Sequence, residues 1–154
     1  MERRSFLKQA GAGVAAGATL ITPAIAADLP TLKWRLASAF PKSLDTIYGG
    51  AEVMAKKVAE MTGGKFQIQV FSAGEIVPTP AVIDAVKDGT VEMGHATSYY
   101  YIGKDPTFAL DCATPFGLNA RQMMAWTLHG GGLELLREFF ATYSIVNIPC
   151  GNTG

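Results

Sequence analysis

Short stretches with a two-residue apolar period alternate with stretches of helical period, and this alternation most narrows the folds open to the chain. From Leu32 to Ser38 the apolar Leu32, Trp34 and Leu36 alternate with Lys33 and Arg35, the pattern of a half-buried strand. After Phe40-Pro41 the period changes. Ile47, Ala51, Met54, Val58 and Met61 sit at helical spacing, with Ser43 or Asp45 as N-cap and Gly63-Gly64 as the stop. Phe66, Ile68 and Val70 alternate with Lys65, Gln67 and Gln69, a second strand ending at Ser72-Ala73-Gly74. Thr79 is the expected cap of a second helix with Pro80 at its first position, and Val82, Ile83, Ala85 and Val86 form its apolar side before Gly89. Val91 to Ala96 reads as a third strand. Strand, helix and strand in turn, joined by only a few residues, predict βαβ units and an α/β fold with a mostly parallel sheet flanked by helices.

Beyond the third strand lie the aromatic run Ser98-Tyr-Tyr-Tyr-Ile102 and a loop-rich passage with Pro106, Pro115 and Gly117. A helix is expected from about Asn119, its cap, to Leu128. Gly130-Gly-Gly132 interrupts it, a second helix runs from about Leu133 to Thr142, and Ile145 to Ile148 reads as a fourth strand.

The amino terminus has a different character. Arg3-Arg4 stands directly before Ser-Phe-Leu-Lys8, a Gly/Ala-rich apolar stretch follows from Ala10 to Ile21, and Ala24-Ile25-Ala26 offers small side chains to a signal peptidase. That is the layout of a twin-arginine export signal, residues 1–26, with cleavage after Ala26 and a periplasmic destination. Its apolar stretch is too short for a membrane span, which needs about 20 residues. Removing it takes out Arg3, Arg4, Lys8 and Glu2, so the 13 basic and 13 acidic groups become 10 and 12 in residues 27–154. No basic stripe remains, which excludes nucleic acid and anionic lipid as expected partners. Cys112 and Cys150 stand in no metal or redox spacing, and two separate, partly buried thiols are expected rather than a disulfide. Residues 27–154 suffice for one compact domain. Asn152-Thr153-Gly154 follows the fourth strand without a capping helix or polar tail, and the chain is expected to be a truncated amino-terminal portion of a longer reading frame.

Catalytic motifs are absent from the sequence. Gly11-Ala-Gly13-Val-Ala-Ala-Gly17 superficially resembles a dinucleotide loop, but its spacing is one residue too long, no strand precedes it, and it lies in the leader. Glu92 and His95 have a metal-ligand spacing for a helix, yet in a strand they face opposite sides. His129, beside the glycine run, has no carboxylate or cysteine partner in the sequence and is read as structural or solvent-facing. There is no nucleophile elbow, no P-loop and no carboxylate pair in opposed environments.

What remains is the set of loops leaving the carboxyl ends of the strands, where open α/β sheets gather ligands. Phe40-Pro-Lys-Ser-Leu-Asp-Thr46 opens a helix whose amide end suits a carboxylate. Ser72 to Thr79 follows the second strand. Thr97-Ser-Tyr-Tyr-Tyr101 follows the third, and its phenols can both pack against and hydrogen-bond a small polar solute. The competing reading of Tyr99, Tyr100 and Tyr101 is edge packing with their hydroxyls in water.

Six segments also carry a resemblance: Trp34-Arg-Leu-Ala-Ser-Ala-Phe-Pro-Lys-Ser-Leu-Asp45, Phe71-Ser-Ala-Gly-Glu-Ile76, Asp84-Ala-Val-Lys-Asp-Gly-Thr-Val-Glu-Met-Gly94, Ser98-Tyr-Tyr-Tyr101, Pro115-Phe-Gly-Leu-Asn119 and His129-Gly-Gly-Gly-Leu-Glu-Leu-Leu136. In order and spacing they resemble the DctP-type solute receptors of tripartite ATP-independent periplasmic (TRAP) transporters, most of all the mannitol/chloroaromatic subgroup that binds 2-oxo acids such as pyruvate. The resemblance implies a type II periplasmic-binding-protein fold of two lobes about a cleft, with one lobe largely present here and the second mostly missing. It implies a receptor, not an enzyme, that delivers a small organic acid to membrane permease subunits, with homodimers admitted. For the site it implies Tyr99 and Tyr100 first, then Phe40 and Thr46, and Asn152 near the crossing between lobes. No cofactor is implied in residues 27–154, although the full-length family leaves room for a metal ion beside the solute. The family's carboxylate-clamping arginine falls after Gly154 in its pattern, so weak binding of an anionic acid is expected of this chain alone. The rival readings are an exported α/β enzyme and a solute-sensing domain.

Overall fold

The computed structural model describes residues 30–151. The expected leader, residues 1–26, with its glycine run and expected cleavage position, and Asn152, lie outside the described residues.

Strand β1 (Leu32–Ser38) leads through a short loop to helix α1 (Asp45–Met61), which returns to strand β2 (Phe66–Phe71). A 3-10 turn (Thr79–Ala81) runs into helix α2 (Val82–Lys87), and strand β3 (Met93–His95) follows. Two more 3-10 turns, Ser98–Tyr101 and Pro106–Ala109, precede helices α3 (Ala120–His129) and α4 (Gly132–Ala141). The three strands form a parallel sheet in the order β2-β1-β3. β1 pairs with β2 from Leu32↔Phe66 to Ala37↔Phe71, but with β3 only from Leu36↔Met93 to Ser38↔His95.

Register decides which residues face which helix. Ala37 belongs to a core with Val77, Val82 and Val91, against which Ala81, Ala85 and Val86 pack. Its partner Gly94 faces the same way. A Cβ there would lie 2.9 Å from Val82 Cγ1 and 3.0 Å from Val86 Cγ2, so only glycine lets α2 approach the sheet this closely. One residue on, Ser38 and His95 face the other side of the sheet because side chains alternate along a strand. Helix α1 buries Tyr48, Ala51 and Ala55 at helical spacing, the two alanines letting it lie close to the sheet, and the Tyr48 hydroxyl reaches the Val70 carbonyl at 3.5 Å. A second core gathers Ile83, Tyr101 and Phe108 with Ala96, Phe139, Phe140, Tyr143 and Ile145, joining α4 to the rest. Gly132 lets α4 begin against α3, since a Cβ there would stand 2.6 Å from the Trp126 ring.

Several local expectations are corrected. The cap of α1 is Leu44, without a side-chain hydrogen bond, because the turn closed by Leu44 N–H on the Pro41 carbonyl (3.0 Å) brings that residue to the helix start. Ser43 does not cap, and Asp45 instead sits in the first turn, where the dipole favours its charge. Thr79 lies inside a 3-10 turn behind Pro78 and caps nothing by its side chain. The third strand is shorter than expected, since only the last three residues of β1 offer it an edge. The fourth strand does not form. Val146 and Ile148 are exposed and residues 145–148 have no ladder, for a strand exists only against a partner. Leu32 and Trp34 are also more open than a half-buried strand implies. The two cysteines are separate as expected, but both are exposed. At Asn119 the expected cap forms. Its Oδ1 accepts from Gln122 N–H and its own N–H donates to Gln122 Oε1, both at 3.0 Å, a capping box. His129 ends α3 exposed to solvent.

Candidate functional site

The chain crosses from β1 to β2 on one side and then to β3 on the other, so its direction across the sheet reverses at β1. The crevice outside the carboxyl ends of β1 and β3 is therefore the topological switch point, where ligands collect in sheets of this kind.

Phe40 occupies that position, held from two sides. Its N–H donates to Ser38 Oγ at 3.1 Å, and its carbonyl accepts from Ala73 N–H at 3.1 Å, in the loop after β2. Ala39 N–H donates to the His95 carbonyl at 2.8 Å, and Ser38 Oγ lies 3.2 Å from His95 Nδ1. The Phe40 ring stands edge-on to the His95 imidazole, with centroids 5.0 Å apart, and tilts toward Tyr100 at 6.4 Å. Tyr100 meets Tyr99 edge-on at 4.9 Å. Loops from all three strands thus converge on one aromatic wall, buried at Phe40 and 40% exposed at Tyr100.

Electrostatically the wall is neutral. Burial depresses the His95 pKa below its usual 6.5, favouring the uncharged ring. Burial, and then Tyr99, raise the pKa of the Tyr100 phenol, which keeps it a hydrogen-bond donor at neutral pH. At the rim, Glu75 accepts from Ser72 N–H (2.9 Å) and Ser72 Oγ (3.0 Å), with Lys42 at 3.8 Å; the Ser72 bonds lead in holding its carboxyl below the usual range.

The aromatic turn is anchored from behind. The buried Ser98 hydroxyl donates to the Asp111 carboxylate, and the Cys112 thiol donates to the same oxygen at 3.0 Å. Burial, with Asp111 next, raises the Cys112 pKa, so this thiol serves as a donor rather than a nucleophile.

Of the residues singled out in the sequence, Phe40, Tyr99 and Tyr100 come together. Thr46 is exposed in the first turn of α1 and lines an open recess with Asp45, Gly49, Gly50, Glu52, Val53 and Lys56, which shares no residue with the wall. Tyr101 turns into the core. Sequence reasoning passed over Ser38 and His95 as partners. Their only signal was that Ser38 ends its expected strand and His95 lies near the end of another.

Residues 37–154 match the family described as bacterial extracellular solute-binding protein, family 7. The chain belongs to this family.

Family members are solute-binding receptors that work outside the cytoplasm. A monocarboxylate 2-oxoacid-binding periplasmic protein of Nostoc sp. is 47% identical over 159 residues, covering 100% of this chain and 43% of that protein. A TRAP transporter solute-binding protein from Bordetella bronchiseptica, a mixed-occupancy dimer with calcium and picolinate in one active site and an apo second site, is 51% identical. It superposes with a TM-score of 0.79 over 82% of this chain and 38% of that one. A TRAP periplasmic solute-binding protein from Pseudoalteromonas atlantica with bound sodium and pyruvate is 37% identical, with a TM-score of 0.76 over 80% and 38% of the two chains. The chain therefore spans less than half the length of these relatives, and its fold is that of part of one lobe of such a receptor.

The cations in those relatives raise the question of a metal here. Among the described residues no group of three or more His, Cys, Asp or Glu is placed to hold an ion. The carboxylate of Glu92 is taken by Arg35, whose Nη2 stands at 2.8 Å, and His95 lies on the opposite face of β3. By themselves the described residues do not complete a metal site.

Proposed function

We propose that this chain forms the solute-facing wall of a TRAP-type periplasmic receptor for a small organic acid, a 2-oxo acid such as pyruvate, which it delivers to membrane permease subunits for uptake. The observation that carries this reading is the convergence of Phe40, Tyr99 and Tyr100 at the β1/β3 switch point of a chain whose relatives bind pyruvate and picolinate. A flat apolar ring beside phenol donors suits a short planar acid: the rings cover its carbon skeleton and the hydroxyls meet its oxygens. Thr46 and Asn152 complete the proposed contact set. The wall carries no charge to match a carboxylate, so the counter-charge comes from elsewhere in the receptor. The solute leaves as it arrived, and no catalysis is assigned to this chain.

Residues 1–26 serve in this reading as a twin-arginine export signal cleaved after Ala26, and residues 27–154 belong to the solute-binding domain. Pairing of receptors into homodimers is part of the same proposal.

Titration calorimetry tests it on two proteins: the chain itself, and the Nostoc relative with residues 27–154 in place of its own corresponding segment. Saturable pyruvate binding, weakened about tenfold or more by Tyr100→Ala, is the expected result. Failure of both proteins to bind any 2-oxo acid, with the hybrid folded, would overturn it.

A further inference from the structure

One residue at the end of β3 holds three consecutive residues at the end of β1. His95 meets Ser38 through Nδ1 (3.2 Å), Ala39 through its carbonyl (2.8 Å) and the Phe40 ring in a T-shaped ring contact with its imidazole (5.0 Å between centroids). Ser38 Oγ also receives the Phe40 N–H at 3.1 Å. Ser38 is 1% exposed and Phe40 5%, so water cannot replace these partners. Phe40 is in turn the inner neighbour of Tyr100.

We propose that neutral His95 is the positioning residue of the solute wall: it holds Ser38, and through Ser38 the backbone and ring of Phe40, and its protonation releases that hold and weakens solute binding. The inference rests on the receptor reading given above. A neutral imidazole with a bare Nδ1 accepts the Ser38 hydroxyl hydrogen, which leaves the Ser38 oxygen free to accept from Phe40 N–H. Protonation puts a hydrogen on Nδ1. Two donors then point at the Ser38 oxygen, and the hydroxyl hydrogen needs a new acceptor where water has no access.

Charges around the ring do not offset this. Glu92, on the opposite face, is bound to Arg35; Asp84 of α2 is paired with Lys104 at 2.9 Å; and Glu75, in the loop packed on Phe40, is engaged by Ser72 and Lys42. Tyr99 and Tyr100 are the other titratable groups of the wall, and neither is a carboxylate. Among the described residues no carboxylate forms an ion pair with His95. The sign follows. A histidine whose folded pKa lies below its usual 6.5 favours the fold above that pH, and this contribution is lost as pH falls through the folded pKa.

The test is nuclear magnetic resonance of the whole chain, with labelled imidazole and amide groups, from about pH 8 to about pH 4.5, alongside pyruvate titrations across the same range on the chain and on the hybrid receptor. The Phe40 amide and Tyr100 ring signals should move with the His95 midpoint, and pyruvate affinity should drop about three- to tenfold below it. His95→Asn places an amide oxygen near the Nδ1 position and cannot titrate. Its affinity, whatever its level, should be flat across the pH range, while Ser38→Ala should uncouple Phe40 from the His95 titration. Phe40 signals indifferent to His95, or affinity flat through the midpoint in a protein that binds, would overturn the proposal. If Phe40 tracks His95 but no 2-oxo acid binds at any pH, the receptor reading falls while the His95–Phe40 linkage stands. Binding with an unresponsive Phe40 does the reverse.

Discussion

Tyr100 and Tyr101 are neighbours of identical chemistry with opposite fates. Tyr100 is 40% exposed against Phe40 and Tyr99, whereas Tyr101 is 5% exposed in a core with Phe108 and Ile83. The 3-10 turn between Ser98 and Tyr101 separates them. With three residues per turn, Ser98 and Tyr101 stack on one side and are both buried, while Tyr99 and Tyr100 are turned outward. A single turn thereby divides one aromatic run into a foundation and a wall. The difference teaches that the wall draws its rigidity from the core beneath it: Ser98 is anchored to Asp111 and Tyr101 packs on Phe108, so the outward pair has a fixed base.

The contrast can be broken most forcefully from the core side. Phe108 is 1% exposed and its ring meets Tyr101, Phe139, Phe140 and Tyr143 at centroid distances of 4.8–5.8 Å. Phe108→Ala should cost about 3–5 kcal/mol in urea unfolding. Next in size is an alkaline effect. Burial pushes the Tyr101 phenol up to about 12, and its hydroxyl lies beside the Ile83 backbone without reaching hydrogen-bond geometry. The folded state resists its ionisation, so stability is full below pH 10 and falls as pH rises toward 12, by up to roughly 3 kcal/mol. Tyr101→Phe should remove that loss, as seen by comparing urea midpoints at pH 9 and above pH 11. On the wall, Tyr100→Ala should lower stability by only about 1 kcal/mol while its main effect falls on solute binding, which thermal melts and calorimetry together would separate. A Tyr100→Ala loss as large as that of Phe108→Ala would erase the distinction.

The smallest effect lies outside both regions. Hydrogen bonds from Arg35 hold the Glu92 carboxyl at about 2. Its contribution is present above the usual pKa of 4.5 and is lost as pH falls toward 2. Glu92→Gln should flatten that acid limb slightly, and added salt should shrink the difference, since the pair is exposed.

Much of this was legible in the sequence because it depended on neighbours along the chain. The period of Phe66, Ile68 and Val70 marked β2, the spacing of Ile47, Ala51 and Val58 marked α1, and Asn119 marked the cap of α3, to which the structure adds Gln122 as the second half of a capping box. The placing of the site at the strand ends followed from the βαβ order. Ile145 to Ile148 failed as a strand although its pattern was sound, because no pairing edge meets it among the described residues. Ser38 and His95 were illegible as a pair, being 57 positions apart and joined only by register.

Periodicity and turn residues alone thus determined the α/β class, the order of strands and helices from β1 through α4 and the loops that carry the wall. Each of these rests on backbone preference and on which side of a segment is apolar, and both are local. The tertiary structure decided the order β2-β1-β3, the pairing of Ser38 with His95, and which tyrosine faces outward. Those choices turn on the close approach of segments distant along the chain: a strand gains its hydrogen bonds, and a ring its burial, only from residues that folding brings to it.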